Sequence, residues 1–412
     1  MTRRVVVTGI GAITPIGSER KGLWEGVLRG TSAVTRVTRF DPSAFRSQIA
    51  AEVNDFSPGF GIDAKQARRL DRFSLFSLVA SHQAVDDANL DVTPDLREKI
   101  GVSIGTALGG ISFGEVQHER FLNGGLRAID PTLALAVFGG ASATNVAIAF
   151  GLMGPTMANA NSCASGAVAI GEAYRAIRAG RSTVILAGGA EAPLAPLTFG
   201  SFSVIKAMST RNDDPGRACR PFDANRDGFV MAEGAAVLVL EEAEFAVGRG
   251  ARILAEIIGY GSTNDAYHMT APRPDGSQSA RAIQLALDDA NLPPSAVDYV
   301  NAHGSSTPLN DATETRALKL ALGNHAYSVP ISSTKAMHGH ALGASGAIEA
   351  AIVTMSLAEG YVPPTINLTE ADPTCDLDYV PNTGRQKGIE VGLSDSFGFG
   401  GINAALLSRR WL

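Results

Sequence analysis

Two kinds of hydrophobic stretch alternate along this chain. Runs rich in β-branched residues, Val5–Val7, Val184–Ala187, Val237–Leu240 and Ile253–Ile258, predict buried strands. Alanine-rich stretches, Phe73–Ala88, Ala164–Ala179, Ala280–Ala290 and Gly346–Ala358, predict helices that pack closely through small faces. Strand and helix alternate twice over, which predicts a layered α/β fold built from two similar halves.

The halves also echo one another in sequence. Val7-Thr-Gly-Ile-Gly11 returns weakly as Ile257-Ile-Gly-Tyr-Gly261. Ala84-Val-Asp-Asp-Ala-Asn-Leu90 returns as Ala286-Leu-Asp-Asp-Ala-Asn-Leu292, and Ala164-Ser-Gly-Ala167 as Ala344-Ser-Gly-Ala347. The echoes keep their order while their offsets shrink, so the first half carries insertions that the second lacks. The expected division is 1–250 and 251–412, meeting near Gly248-Arg-Gly250. No low-complexity linker lies there, so the halves are expected to share one tight interface.

Composition narrows the function. At 412 residues the chain exceeds a usual single domain, and 35 basic against 41 acidic residues give −6, which argues against a nucleic-acid partner. Three widely spaced cysteines make neither a disulfide framework nor zinc-ligand pairs. The opening MTRRVVVTGIGAITPIGSE reads as a strand rather than a signal peptide. No uncharged apolar run approaches the ~20 residues of a membrane span. A cytoplasmic chain without membrane insertion is expected.

Candidate chemistry gathers at element ends. Cys163 lies where an extended stretch runs into a small-residue helix, and a helix start favours thiolate. The competing reading is a small buried thiol. His303 follows a predicted strand and leads into Gly-Ser-Ser-Thr, whose hydroxyls suit a polar ligand. His340 precedes the helix that echoes the one behind Cys163, so the two helix starts are expected to face each other. Cysteine with histidine suggests acyl transfer through a thioester. His338 and His340 form H-x-H, but no nearby third ligand supports a metal centre.

Ser162-Cys-Ala-Ser-Gly, Asn301-Ala-His-Gly-Ser-Ser-Thr, Ser333-Thr-Lys-Ala-Met-His-Gly-His and Ser396-Phe-Gly-Phe-Gly-Gly-Ile-Asn403 occur in that order. They resemble the signature segments of elongating β-ketoacyl-[acyl-carrier-protein] synthases, most of all the synthase II type of bacterial fatty-acid synthesis. The resemblance runs from Arg4 to the C-terminus. It implies a thiolase-like five-layer αβαβα fold from two duplicated halves, and a homodimer. It also implies decarboxylative Claisen condensation of an acyl thioester with malonyl-[acyl-carrier protein]. Cys163 would carry the acyl group, while His303 and His340 would serve decarboxylation, supported by Lys335 and Glu349. The N–H groups of Cys163 and Phe399 would form the oxyanion hole, with Phe399 also a gate.

Further matches follow from the same resemblance. Thr270, Ser305 and Thr307 would contact pantetheine, and Leu108, Leu133 and Phe202 would line the acyl tail. Lys65, Arg68, Arg69, Arg127 and Lys206 would dock an acidic acyl carrier protein. Asn301, Glu349, Ser394 and Asp395 would surround a structural monovalent cation. No cofactor is required, since the carrier brings the phosphopantetheine. Ser305, Asp395 and Ile402 stand where the family usually has threonine, asparagine and threonine, and His338 stands where primary fatty-acid enzymes usually have a smaller residue. His338 in particular resembles specialised polyketide, polyene or nodulation-factor synthases, the alternative pathway. A non-catalytic carrier-binding subunit is the reading from a different class, and a cysteine hydrolase is the remaining enzyme rival.

Overall fold

The computed structural model describes residues 3–411, with the side chains of Ala64 and Gln66 outside the description. Ten strands form its main path: β1 (Val5–Thr14), β2 (Ile100–Gly105), β3 (Thr156–Asn159), β4 (Val184–Glu191), β5 (Gly234–Glu242), β6 (Ala255–Asn264), β7 (Tyr299–Asn301), β8 (Ile331–Ser332), β9 (Val391–Gly398) and β10 (Ile402–Arg410). Their spatial order is β8-β7-β9-β10-β6-β1-β5-β4-β2-β3. That order is a mirror about β6 and β1. On one side β2 runs parallel to β3 and β4, and β5 is antiparallel to β4 and β1. On the other, β7 runs parallel to β8 and β9, and β10 is antiparallel to β9 and β6. Three pairs, Val5↔Ile257, Val6↔Glu256 and Val7↔Ala255, join the two five-stranded halves.

Six helices cover and separate these halves: α1 (Arg72–Asp87), α2 (Ala141–Phe150), α3 (Ser165–Arg178), α4 (Ser277–Ala290), α5 (Pro308–Leu322) and α6 (Ser345–Glu359). Helices α1 and α2 pack on one sheet half, α4 and α5 on the other, and α3 with α6 lie between them. The αβαβα layering is therefore as expected. Taken with its leading turn, α6 is apolar and long enough to cross a membrane, but 89% of it is buried inside this fold.

The sequence echoes prove to be one contact made twice. A Cβ on Gly9 or Gly11 would lie 2.3 or 1.8 Å from the carbonyl oxygens of Ala84 and Ala80 on α1. On Gly259 or Gly261 it would lie 2.2 or 2.0 Å from those of Ala286 and Ala282 on α4. Only glycine lets helix and strand approach this closely. Asp87 then accepts the Ile10 N–H at 3.0 Å, and Asp289 accepts the Tyr260 N–H at 3.1 Å. Asn89 and Asn291 both adopt left-handed backbone, at φ 47° and 52°, where the helices end.

The third echo forms the middle layer. A Cβ on Gly166 of α3 would lie 2.8 Å from the Ala347 nitrogen, and one on Gly346 of α6 would lie 2.9 Å from the Ala167 nitrogen. The two helices thus touch backbone to backbone beside their starts. Gly166→Ala should force them apart and lower stability by about 1–3 kcal/mol, as overpacked cores do. Denaturant unfolding measures this, and an unchanged midpoint would show that the contact is slack.

Candidate active site

The turn Ser162–Ala164 leads directly into α3 and presents Cys163, 8% exposed. Ser162 takes φ 52°, an uncommon conformation for a non-glycine residue, and the Ser165 hydroxyl donates to its carbonyl at 2.7 Å. In the other half, the turn Leu342–Ala344 leads into α6 with Leu342 at φ 41°. The two helix starts face each other, and His340 lies just before the second.

A cavity of about 330 Å³ collects the chemistry. Cys163, His303 and His340 line it, with Phe399, Phe202, Thr270, Ser305, Thr307 and Lys206. The two imidazole rings stand 5.3 Å apart and nearly perpendicular. Phe399 stacks on Phe202 at 6.2 Å, and Phe229 bridges edge-on to both Phe202 and His340. Ser305 and Thr307 hydroxyls share a hydrogen bond at 3.0 Å, and Thr307 also caps α5. Thr270 is exposed at the rim.

Lys335 lies behind His303 with no exposed surface, and all three ammonium hydrogens are used. They go to the His303 carbonyl at 2.6 Å, to His303 Nδ1 at 3.4 Å and to Glu349 Oε1. An ammonium has no lone pair, so His303 Nδ1 must accept and Nε2 carries the proton. The His340 ring is held through Nδ1 by the Ser345 hydroxyl at 2.8 Å. Burial first, then the Lys335 charge, pushes both imidazole pKa values well below the ordinary range, so both rings are neutral.

The thiol departs from expectation. Burial raises the Cys163 pKa, and this outweighs the Ser162 hydroxyl, the Lys335 charge and the Phe399 N–H, which all lower it. The helix start alone does not decide, because the cavity walls strip water from the sulfur. The Phe399 N–H does point at Cys163, the direction an oxyanion donor needs.

Other expected residues sort themselves by place. Glu349 is fully buried behind the cavity, its pKa pushed up to about 7 by burial against the Lys335 charge. Asn301 Oδ1, Glu349 Oε2 and Ser394 Oγ are buried oxygens without a hydrogen-bond partner. Hard oxygens of this kind fit a monovalent cation of structural role. Asp395 Oδ2 is a fourth such oxygen, while its Oδ1 accepts the His303 N–H at 2.7 Å and its carboxyl lies against that of Glu314. Two buried carboxyls in contact must share a proton. No three His, Cys, Asp or Glu side chains converge on a metal position among the described residues.

Leu108 packs into the hydrophobic cluster that includes Cys163, whereas Leu133 lies in the short helix Leu133–Ala136, outside the cavity. Of the docking residues only Lys206 borders the cavity; Lys65 and Arg69 line a separate one. Arg68 and Arg127 are exposed, and Asp130 lies within electrostatic reach of Arg69 and Arg120. His338 is buried against the Thr334 hydroxyl at 3.1 Å and takes no place in the cavity. Ser345, Glu314 and Glu191 escaped the sequence reading; Ser345 was signalled by its echo of Ser165.

Residues 2–246 match the β-ketoacyl synthase N-terminal domain model and residues 254–369 the C-terminal one. The chain belongs to the β-ketoacyl synthase family. Its relatives include 3-oxoacyl-[acyl-carrier-protein] synthase 2 of Synechocystis sp., 48% identical over 99% of this chain and 98% of that one. The enzyme of the same name from Staphylococcus aureus is 43% identical over 99% of both. Among solved structures, a β-ketoacyl synthase from Burkholderia phymatum superposes with TM-score 0.93 at 38% identity, both chains covered in full. So does a type II polyketide acyl-carrier protein complex with its ketosynthase bound to the hexaketide, also at 0.93, 38% and full coverage.

For this ketosynthase the raised thiol pKa has a direct readout. Iodoacetamide alkylation of Cys163 should inflect above the pH of an unperturbed thiol, about 8.5. An inflection below that value would mean that the helix start prevails over burial.

Proposed function

We propose that this protein condenses an acyl group held on Cys163 with malonyl-[acyl-carrier protein], releasing CO₂ and giving 3-oxoacyl-[acyl-carrier protein] in fatty-acid elongation. The observation that carries this is one cavity lined by a cysteine and two neutral histidines, with Lys335 fixing the tautomer of His303. The Cys163 sulfur attacks the acyl thioester, the carrier thiol leaves, and the chain stays on the enzyme. The malonyl C–C bond to the carboxylate then breaks. Its electron pair forms an enolate, whose oxygen takes hydrogen bonds from the imidazole N–H groups. The enolate carbon attacks the acyl-Cys163 carbonyl, and the N–H groups of Cys163 and Phe399 hold the developing oxyanion. Collapse expels the Cys163 thiolate. A neutral imidazole keeps one N–H, which is enough to donate to the enolate oxygen, while its other nitrogen accepts from Lys335 or Ser345. No cofactor enters any step, and a cation at Asn301, Glu349, Ser394 and Asp395 would only balance buried charge. The division at residue 250 assigns the nucleophile to one half and the histidine pair to the other.

A primary-pathway role is favoured over a polyketide one by the higher identity to the synthase 2 relatives than to the polyketide ketosynthase. A non-catalytic subunit would leave Cys163 and its oxyanion donors without purpose. Cys163→Ala should abolish acyl uptake. His303→Ala should keep some acyl-enzyme yet cut CO₂ release by about 10²–10³-fold. Mass spectrometry of the acyl adduct and trapped CO₂ read the two steps separately. Near-wild-type 3-oxoacyl product from Cys163→Ala would sink the reading.

The partners follow from surfaces. An acidic carrier would meet Lys206 at the cavity rim and the exposed Arg127, Arg68, Arg69 and Lys65. A second copy of this chain would cover β3, an exposed edge strand, together with Leu126 (79% exposed), Ile148 (77%) and Met153 (64%). Leu133 lies outside the cavity and would reach an acyl tail only through the dimer, whose mass sedimentation would give. Three free, buried cysteines fit a reducing cytoplasm. Reversing Lys206 and Arg127 to Glu should raise KM for carrier-bound substrate by about tenfold and spare small thioesters, with the loss fading at high salt. Equal losses for both substrates would remove these residues from the docking face.

A further inference from the structure

The second helix start has its own N–H group where the first offers an oxyanion donor. Gly343 occupies the position in Leu342–Ala344 that Cys163 occupies in Ser162–Ala164. Its N–H is already taken. Glu191, the last residue of β4 and wholly buried, accepts it on Oε2 at 2.9 Å. The same oxygen accepts the Ala107 N–H at 2.6 Å. Oε1 accepts the Leu108 N–H at 3.2 Å and the Thr106 hydroxyl at 3.0 Å. Four donors fill the carboxylate's lone-pair positions, an arrangement that only the ionised group satisfies. Burial pushes its pKa up to about 7, and these donors pull against that shift.

What this carboxylate ties together is apolar. Leu342 lines the reaction cavity, and Leu108 packs into the cluster shared by Cys163, Leu342, Phe199 and Leu194. The two turns meet through Gly343, where a Cβ would lie 2.3 Å from the Ala107 nitrogen and 2.6 Å from Glu191 Oε2. We propose that Glu191 is a positioning residue for acyl-chain length, holding Leu108 and Leu342 in register beside Cys163. It never touches the substrate; it acts through the two leucines. The proposal rests on the acyl transfer to Cys163 argued above.

The experiment measures kcat/KM for loading Cys163 from saturated acyl carriers, butanoyl to hexadecanoyl, beside the rate of iodoacetamide alkylation. Glu191→Gln keeps the shape but brings two N–H donors of its own into a set of donors. It should lower the ratio of long-chain to short-chain kcat/KM by about tenfold. On this proposal long tails pass both leucines and short ones do not. Alkylation, which involves no tail, should stay within about threefold of wild type. Should Glu191→Gln fail to give a cooperative melt, Thr106→Val removes a single donor to Oε1, and the same ratio decides. A length profile unchanged in a folded variant overturns the proposal. So does a uniform loss at every length together with lost alkylation, which is what a purely structural role predicts. A wild type that takes up no acyl group at any length overturns the acyl-transfer reading and this one with it. A wild type that loads with a length preference kept by the variants overturns only the role of Glu191.

Discussion

The closeness of α3 and α6 is the constraint on which the site depends. Both helices start at a turn with a positive φ, and each turn carries or adjoins a side chain that lines the cavity. Where Gly166 meets Ala347 and Gly346 meets Ala167, there is no room for one added carbon. The cysteine of one half and the histidines of the other are therefore set by backbone contact rather than by flexible side chains. Displacement by an ångström is enough to spoil a reacting geometry, so a rigid seam in the middle layer is the natural place for such chemistry. The outer helices play the corresponding part for the sheet, through the glycine contacts at β1 and β6.

Inside that seam water is scarce, and scarcity sets the charge state. The thiol is pushed up and the imidazoles down by one cause, burial, which disfavours every charged form. Lys335 keeps its place because Glu349 and two His303 atoms occupy all its donors. A buried pair of this kind adds little net stability. Its value here is directional, since it leaves His303 with a single tautomer. The resting site is thus a set of neutral donors around one compensated charge, which is suited to an enolate that appears only during the reaction.

Much of this was legible in the sequence, for a physical reason. Repeated motifs record repeated contacts: Gly9, Gly11, Asp87 and Asn89 solve one packing problem, and Gly259, Gly261, Asp289 and Asn291 solve it again. Cys163, His303 and His340 were visible because each sits where one element gives way to the next. The misreadings were all non-local. The helix start beside Cys163 is local and was seen; the aromatic and aliphatic walls that dry it come from distant segments. Glu314, which lies against Asp395 from another element, has no local signal either. Strand β4 runs past Ala187 to Glu191, through Gly188 and Gly189, which alone signal a turn. In the fold they make room, one beside the Ala236 carbonyl and the other beside that of Gly343.

Duplication creates two equivalent helix starts, yet condensation chemistry needs them to differ. If both offered a free N–H at the cavity, a substrate carbonyl would have two competing seats. The chain breaks the tie with two substitutions of character. One turn has a sulfur, at which the Phe399 N–H points. The other has Gly343, with no side chain, and its N–H is filled by a carboxylate from β4. The filled turn is then free to serve as wall, and its leading residue is a leucine where the open turn has a serine. Ser165 and Ser345 diverge in the same way: the first steadies the Ser162 carbonyl, and the second steadies the His340 ring. A symmetric scaffold thereby carries an asymmetric site, with a cysteine on one half's turn and a leucine on the other's lining the same cavity.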